Sequence, residues 1–137
     1  MRLYWAAGIL IVLGAIVAAA PWTFAPVCEL QNMWVQTTSG KLLPMPCGYT
    51  ARGELGVGSM IVFSGAALMF VKNVNPRRAV GAFAGALGAL AIAFPTYLTG
   101  MCAVASHSCR TTTEPTLILS GLATIAVGAG LVLMRQK

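Results

Sequence analysis

Four cysteines form the group of residues whose chemistry depends most on where they lie. Cys28 and Cys47 occur in one polar stretch, Cys102 and Cys109 occur in another, and all four lie outside the long apolar runs. If both stretches face an oxidising compartment, an even number of cysteines predicts two disulfides. We expect one bridge within each stretch, Cys28–Cys47 and Cys102–Cys109. A bridge between the stretches stays open, because four cysteines allow three pairings.

Redox catalysis is one alternative use of these cysteines. Membrane thiol oxidoreductases of the disulfide-bond B and vitamin K epoxide reductase kinds are similar in plan, with four helices and cysteine pairs at the outer face. Their reactive pair is a Cys-x-x-Cys, which lowers the pKa of one thiol. This sequence contains no Cys-x-x-Cys. We therefore expect structural disulfides and keep a thiol–disulfide enzyme as the alternative.

Metal binding is the other alternative. Met45, Met101 and His107 lie near the cysteines and are weak candidates, because soft sulfur and imidazole ligands suit Cu(I) or Zn. Oxidised cysteines would remove the thiolates that a metal needs. A solvated histidine beside a structural disulfide is the simpler interpretation, so the sequence predicts no metal site and no cofactor.

Two arginine–glutamate pairs adjoin the apolar runs, Arg52 with Glu54 and Arg110 with Glu114. Interfacial charges of this kind are individually worth about 0–1 kcal/mol. Glu54 differs from the others because it shares a helical face with Gly58, which predicts that it points into the mouth of a bundle. An ionisable group that enters a membrane bundle is a functional candidate.

The composition argues for a chain whose solvent is mostly lipid. Of 137 residues, 58% are hydrophobic and 9% are charged, whereas a soluble domain carries about 25% charged residues. The net charge of +6 does not indicate nucleic-acid binding, because the basic residues are scattered beside apolar runs. The sequence holds no aspartate, no nucleophile with its base and no phosphate-binding glycine loop, so we expect no catalytic residue and no enzyme.

Four uncharged apolar runs predict four membrane-spanning helices in one domain, residues 1–137. A helix needs about 20 apolar residues to cross the bilayer. The predicted spans are residues 3–20, 55–71, 79–98 and 116–134, and the predicted outer loops are residues 21–54 and 99–115. The first run also resembles a signal peptide that ends near Ala20. Because the chain carries this run, we interpret it as a retained span.

The basic residues predict the orientation of these spans. One side of the predicted membrane carries six basic residues and no acidic residue: Arg2, Lys72, Arg77, Arg78, Arg135 and Lys137. The other side carries three basic and three acidic residues. Positively charged short loops stay in the cytoplasm. Both termini are therefore expected to be cytoplasmic, and all four cysteines are expected outside.

Small residues recur at helical spacing within the predicted spans, where they permit close helix packing. The glycines concerned are Gly58, Gly65, Gly81, Gly85, Gly88, Gly121 and Gly128. We expect them mainly to pack the bundle, with docking onto another membrane subunit as the second interpretation. Pro95 is expected to kink or end the third helix. The halves share a plan of span, cysteine-bearing loop and span, which would need structural support to be called a repeat.

The loops resemble the family catalogued as domain of unknown function 4418. The resemblance rests on residues 24–28, 45–58 and 95–102 and on Cys109 followed by Thr113-Glu114-Pro115. Where the family's usual form reads Cys-His-Trp-Thr, this chain has Cys47-Gly48-Tyr49-Thr50. A metal or haem site built on the family's histidine is therefore not expected.

The resemblance implies a small four-span protein of a bacterial or archaeal cell membrane, with unassigned activity. It also implies companionship with ABC-type permeases of the macrolide-exporter kind, sometimes near iron-acquisition proteins. We expect an all-α membrane protein, a four-helix bundle with disulfide-stapled extracytoplasmic loops. Its expected role is that of a non-catalytic accessory subunit in contact with lipid and a larger membrane complex. A thiol–disulfide oxidoreductase and a homo-oligomeric structural unit are the alternatives.

Overall fold

The computed structural model describes residues 2–23, 26, 34–44, 46–71, 73–99 and 109–134, which are mostly helical. The helices are α1 (Arg2–Ala19), α2 (Pro46–Phe70), α3 (Val74–Ala93) and α4 (Glu114–Leu133). Two short strands, β1 (Trp34–Gln36) and β2 (Leu42–Pro44), lie between α1 and α2. Two π-helical segments, Phe94–Leu98 and Cys109–Thr113, extend α3 and precede α4.

Three helical stretches are long and apolar enough to cross a membrane, namely Pro46–Phe70, Val74–Leu98 and Cys109–Leu133. The apolar part of α1, Leu3–Ala19, is shorter. At a rise of 1.5 Å per residue, α1 extends about 27 Å, slightly less than the bilayer core of about 30 Å. The described chain therefore has three helices of spanning length and a fourth apolar helix of marginal length.

The helices begin earlier than the apolar runs predict. α2 starts at Pro46, nine residues before the predicted span, so residues 46–54 of the predicted outer loop are helical. Proline is well suited to a first helical turn, where its missing N–H is not needed. Helix α3 starts five residues before the predicted span, and the π-helical segment at Cys109 starts seven residues before it. The first turns of these helices contain polar residues, so the apolar runs in the sequence are shorter than the helices.

Pro95 interrupts the regular helix, as the sequence predicts. Helix α3 ends at Ala93, and the chain continues through the π-helical segment Phe94–Leu98. Proline lacks the N–H that would continue the ladder, and its ring crowds the preceding turn. The Thr99 N–H donates to the Phe94 carbonyl oxygen at 3.2 Å and closes the wider turn.

Helices α1 and α2 form the first hairpin, an antiparallel pair packed through glycines. A Cβ on Gly58 would lie 2.5 Å from Ala18 N and 2.6 Å from Gly14 O. A Cβ on Gly65 would lie 2.9 Å from Ala7 O. No side chain fits in these places, so the two backbones approach as closely as glycine permits.

Helices α3 and α4 form the second hairpin by the same means. A Cβ on Gly88 would lie 2.7 Å from Gly121 O, and a Cβ on Gly128 would lie 2.5 Å from Gly81 O. Both hairpins thus depend on glycines that face a carbonyl oxygen of the partner helix.

The two hairpins repeat the same contacts at constant offsets. Gly58 and Gly65 of α2 lie 63 residues before Gly121 and Gly128 of α4. Their partners in the first helices are 74 residues apart, Ala7 with Gly81, Gly14 with Gly88 and Ala18 with Ile92. Buried positions follow the same offsets, including Leu10 with Ala84, Val17 with Ala91, Pro21 with Pro95 and Leu68 with Leu131. The halves are therefore a tandem repeat of one helical hairpin.

Equivalent residues are 74 positions apart in the first helices of the two hairpins but 63 positions apart in the second helices. The loop of the first hairpin is therefore eleven residues longer than that of the second. Eleven residues is the length of the stretch from the start of β1 to the end of β2. These strands pair antiparallel, with Trp34 opposite Pro44 and Gln36 opposite Leu42. The β-hairpin thus accounts for the difference in length between the two repeats.

The turn of this β-hairpin is held by a glycine and a threonine. Gly40 has φ = 79°, a left-handed conformation that favours glycine. The Thr37 hydroxyl donates to Lys41 O at 3.1 Å and accepts from Lys41 N at 3.2 Å. The local sequence therefore closes the turn without help from the helices.

Contacts between the two hairpins use larger side chains. Helix α2 faces α3, and α1 faces α4. The ring of Phe94 lies against Gly53, where a Cβ would come within 2.5 Å of Phe94 Cε1. The core contains Leu10, Ile61, Leu68, Leu117 and Leu131, all buried. Glycine packing within each hairpin and side-chain packing between hairpins build the bundle.

Candidate functional site at the cysteine end of the bundle

The antiparallel helices give the bundle two chemically different ends. At the basic end, Arg77 and Arg78 lie in the first turns of α3. At the cysteine end, Cys47 lies in the first turn of α2, and Cys109 begins the π-helical segment before α4. The polar groups that could do chemistry lie mainly at the cysteine end.

Glu54 is the residue of this end that packing does not explain. It lies on α2, about two turns from Cys47, and its side chain is 0% exposed. Neither carboxylate oxygen has a hydrogen-bond partner among the described residues. Arg52 is exposed, so the two side chains leave the helix on different faces. An unpaired buried carboxylate is costly, which makes the position a candidate for function.

Buried hydroxyls elsewhere in the bundle are satisfied by their own helices. Ser64 Oγ donates to Met60 O at 2.8 Å, and Thr124 Oγ1 donates to Ser120 O at 2.8 Å. Such bonds to the preceding turn are a usual way to bury serine and threonine in a helix. Of the two glutamates that the structure describes, Glu54 is the one without a partner.

A hydrogen bond between threonines joins the two hairpins at the cysteine end. Thr50 Oγ1 and Thr99 Oγ1 lie 2.6 Å apart. Each hydroxyl can also donate to a backbone carbonyl of its own segment, Thr99 Oγ1 to Phe94 O at 3.0 Å and Thr50 Oγ1 to Pro46 O at 3.4 Å, so either threonine can be the donor between them. Sequence reasoning did not select these threonines, because two hydroxyls 49 residues apart carry no spacing signal.

The second predicted charge pair lies within one segment. Arg110 Nε is 3.9 Å from Glu114 Oε2, and the side chains are 51% and 24% exposed. A pair in this setting is worth about 0–1 kcal/mol. It orders the start of α4 but builds no buried site.

Cys47 and Cys109 are both buried at the cysteine end. No disulfide joins two residues of the described ranges, and the partners predicted for these cysteines, Cys28 and Cys102, lie outside them. The weak metal candidates Met45, Met101 and His107 also lie outside the described residues. Within the described ranges, no group of three His, Cys, Asp or Glu side chains could hold a metal ion.

Six of the seven predicted glycines lie inside a hairpin seam: Gly58, Gly65, Gly81, Gly88, Gly121 and Gly128. Gly85 differs, because a Cβ there would meet nothing within 4 Å. Its backbone nitrogen nevertheless lies 2.8 Å from the Cβ position of Gly128. These glycines are occupied by internal packing, so an outer docking surface must be built from other residues.

An apolar groove of about 400 Å³ lies between α2 and α3. We call it the aromatic groove; it is lined by Met60, Phe63, Ser64 and Ala67 of α2 and by Ala79, Val80 and Phe83 of α3. Phe63 is 70% exposed and Phe83 is 52% exposed. Their repeat-related positions on α4 and α1 are Ala126 and Ile9. The aromatic walls therefore distinguish this seam from the seam between α4 and α1.

Long apolar helices packed through glycine seams, with a buried carboxyl near one end, define a multi-pass helical membrane protein. The chain belongs to the family described as Domain of unknown function (DUF4418), whose match covers residues 10–134. The resemblance predicted from the loop motifs is thereby confirmed. No curated protein and no solved structure matches the chain.

Proposed function

We propose that the chain crosses the cell membrane of a prokaryote four times, with both termini cytoplasmic and the cysteine end extracytoplasmic. The support for a fourth span is that α1 packs along α2 from Ala7 to Ala18 and so lies at the depth of a spanning helix. A helix a few ångströms short is accommodated by local bilayer thinning. The support for the orientation is the concentration of arginine and lysine at the basic end.

The function that this architecture supports best is that of a non-catalytic accessory subunit docked on a larger membrane complex. The aromatic groove carries this proposal. Its lining combines the small residues Ser64, Ala67 and Ala79 with the exposed rings of Phe63 and Phe83. Small residues between larger side chains are the shape that accepts a ridge of another helix in a membrane.

The partner proposed for this groove is a transmembrane helix of an ABC-type transporter of the macrolide-exporter kind. The family resemblance supplies that identity, and a link to metal or iron handling has the same origin. The β-hairpin adds a second contact, because Leu42 and Leu43 are 59% and 49% exposed on a two-stranded ribbon. Such a ribbon has unpaired edges and is marginal alone, so a partner's extracytoplasmic part would stabilise it.

Photo-crosslinking in native membranes tests the docking proposal. A photoreactive amino acid is placed at Phe63 in the groove or, as the matched control, at the repeat-related Ala126. We expect a crosslink to a larger membrane protein from position 63 and none from position 126. Phe63→Ala, which copies Ala126, should also reduce co-purification of that protein in mild detergent, whereas Phe70→Ala outside the groove should not.

Three outcomes decide among the proposed roles. A crosslinked transporter subunit supports the accessory role. A crosslink between two copies of this chain would support the homo-oligomeric unit instead. Recovery of the protein alone, with no crosslink from position 63, would count against both.

A thiol–disulfide enzyme is the second candidate, favoured by the burial of Cys47 and Cys109 at the start of the second helix of each hairpin, one position apart in the repeat. The proposed alternative role for the cysteines is structural, with Cys28–Cys47 and Cys102–Cys109 stapling the outer loops. Mass spectrometry under graded reductant separates the two. Bridges that resist mild reductant support the staples, and exchange with an added quinone or thiol supports the enzyme.

A further inference from the structure

The tandem repeat gives each buried position of α2 an equivalent in α4. The equivalent of Glu54 is Leu117, and both side chains are completely buried. Neighbouring equivalents keep their character, such as Thr50 with Thr113 and Gly58 with Gly121. The same hairpin is therefore built with a leucine at this position. Packing does not require the carboxyl of Glu54.

Contacts on either side fix the depth of Glu54 in the bundle. Gly53, the preceding residue, lies against the ring of Phe94. One turn toward the cysteine end, Thr50 bonds Thr99 across the two hairpins. One turn toward the basic end, the backbone of α1 closes against α2. The carboxyl thus lies about one helical turn farther from the cysteine end of the bundle than the Thr50–Thr99 hydrogen bond.

Described residues around this level supply no opposite charge. Buried residues that the other segments contribute at the cysteine end include Ala20, Pro21, Pro95, Thr113 and Leu117, and none of these is ionisable. Arg52 points outward, and Arg110 pairs with Glu114. The sulfur atoms of Cys47 and Cys109, which are also buried at this end, cannot carry a positive charge. Among described residues, then, the carboxyl faces no group that could neutralise it.

We propose that Glu54 is a binding site for a small inorganic cation, either a proton or an alkali-metal ion, that enters from the cysteine end past Thr50 and Thr99. The cation neutralises the carboxyl and so removes a charge that is costly inside a membrane bundle. Carboxylate and hydroxyl oxygens are suitable ligands for hard cations. This assignment does not rest on the docking role.

Thermal denaturation of the full chain in detergent tests the assignment. Wild type is measured in sodium, potassium and choline chloride at constant ionic strength, and at one pH on each side of neutrality. We expect the denaturation temperature of wild type to shift by about 5 °C, either with pH or on replacing choline by sodium or potassium. Glu54→Gln should lose that shift, and Glu114→Gln, which alters the paired glutamate, should keep it.

Glu54→Leu is the second variant, because it copies Leu117 of the other hairpin. It serves as the carboxyl-free comparison if Glu54→Gln fails to fold. A Glu54-dependent shift with pH alone assigns the proton, and one with sodium or potassium assigns the metal ion. Subtracting the temperature shift of each Glu54 variant from that of wild type also removes the contribution of other titrating groups, including His107. No shift in wild type, or an equal shift in wild type and the Glu54 variants, would overturn the proposal.

Discussion

The first hairpin and the second hairpin are built alike, but the first has features that the second lacks. Both bring a pair of antiparallel helices together through glycines that face carbonyl oxygens. The first hairpin alone carries the eleven-residue β insertion, the buried Glu54 and, on α2, the exposed ring of Phe63. Its counterpart has a shorter loop, Leu117 and Ala126 at the matching positions.

The difference separates scaffold from candidate function. Features shared by both hairpins, such as Gly58 with Gly121, are explained by packing alone. Features found in one hairpin cost stability or expose apolar surface without a packing gain. The repeat therefore supplies a control for each substitution. An unusual residue in one hairpin can be replaced by the residue that occupies the equivalent position of the other.

The largest expected effect comes from moving the carboxyl to the second hairpin. Leu117→Glu should lower the free energy of unfolding by about 3–5 kcal/mol, because it buries an uncompensated charge. Leu117→Met conserves volume and should cost less than about 1.5 kcal/mol. Denaturant titration in mixed micelles measures both. If Leu117→Glu lowers the free energy of unfolding no more than Leu117→Met does, the second hairpin tolerates a buried carboxyl as well as the first, and the proposed difference between them is wrong.

The glycine seams should respond equally in the two hairpins. Gly58→Ala and Gly121→Ala should each cost about 1–3 kcal/mol, because the added methyl would meet a backbone oxygen. Gly56→Ala is the control, since a Cβ there meets nothing within 4 Å, and it should be neutral or stabilising by up to about 1 kcal/mol.

The double variant Gly58→Ala with Gly121→Ala sharpens the same comparison. The two costs should add to within about 0.5 kcal/mol if the hairpins pack independently. A strong departure from additivity, read from the same unfolding titrations, would show that the two seams are coupled.

The threonine bond tests how firmly the hairpins are joined. Thr50→Val removes the hydroxyl that is hydrogen-bonded to Thr99 and should lower the free energy of unfolding by about 1 kcal/mol. Thr96→Val removes an exposed hydroxyl bonded within its own helix and should change it by less than about 0.5 kcal/mol. Equal effects of the two substitutions in thermal unfolding would mean that the bond between hairpins adds nothing.

The smallest effect is expected at the Arg110–Glu114 pair, which the first hairpin lacks because Ala51 occupies the position of Glu114. Arg110→Gln should lower the free energy of unfolding by about 0–1 kcal/mol, and added salt should reduce the difference further. A loss above about 2 kcal/mol in low-salt unfolding would contradict a solvent-screened pair.

Hydropathy and spacing predicted the centres of the helices and the interruption at Pro95, because lipid-facing helices need long apolar runs. The starts of α2 and α3 were missed, since Arg52, Glu54 and the arginines of α3 lie in helical turns that carry no apolar signal. The β-hairpin was also missed, although Ser39-Gly40 is a turn signal. Three-residue strands are too short to show a clear alternation.

The burial of Glu54 was predicted from its helical face with Gly58, and the structure agrees. The tandem repeat could not be established from sequence, because the offset changes by eleven residues within the first hairpin and few identical residues survive. The bond between Thr50 and Thr99 and the aromatic groove depend on how the two hairpins meet. That arrangement follows from side-chain packing between helices, which no local pattern encodes.

The pairing of backbones within each hairpin has a mechanical consequence. Two helices whose main chains touch at carbonyl oxygens cannot slide or separate without opening a gap that no side chain fills. The seam between hairpins, made of rings and longer side chains and tied by a hydroxyl pair at one end, is the softer part. We therefore expect each hairpin to move as a rigid unit, so that a rocking motion between the two would separate them most at the end far from Thr50.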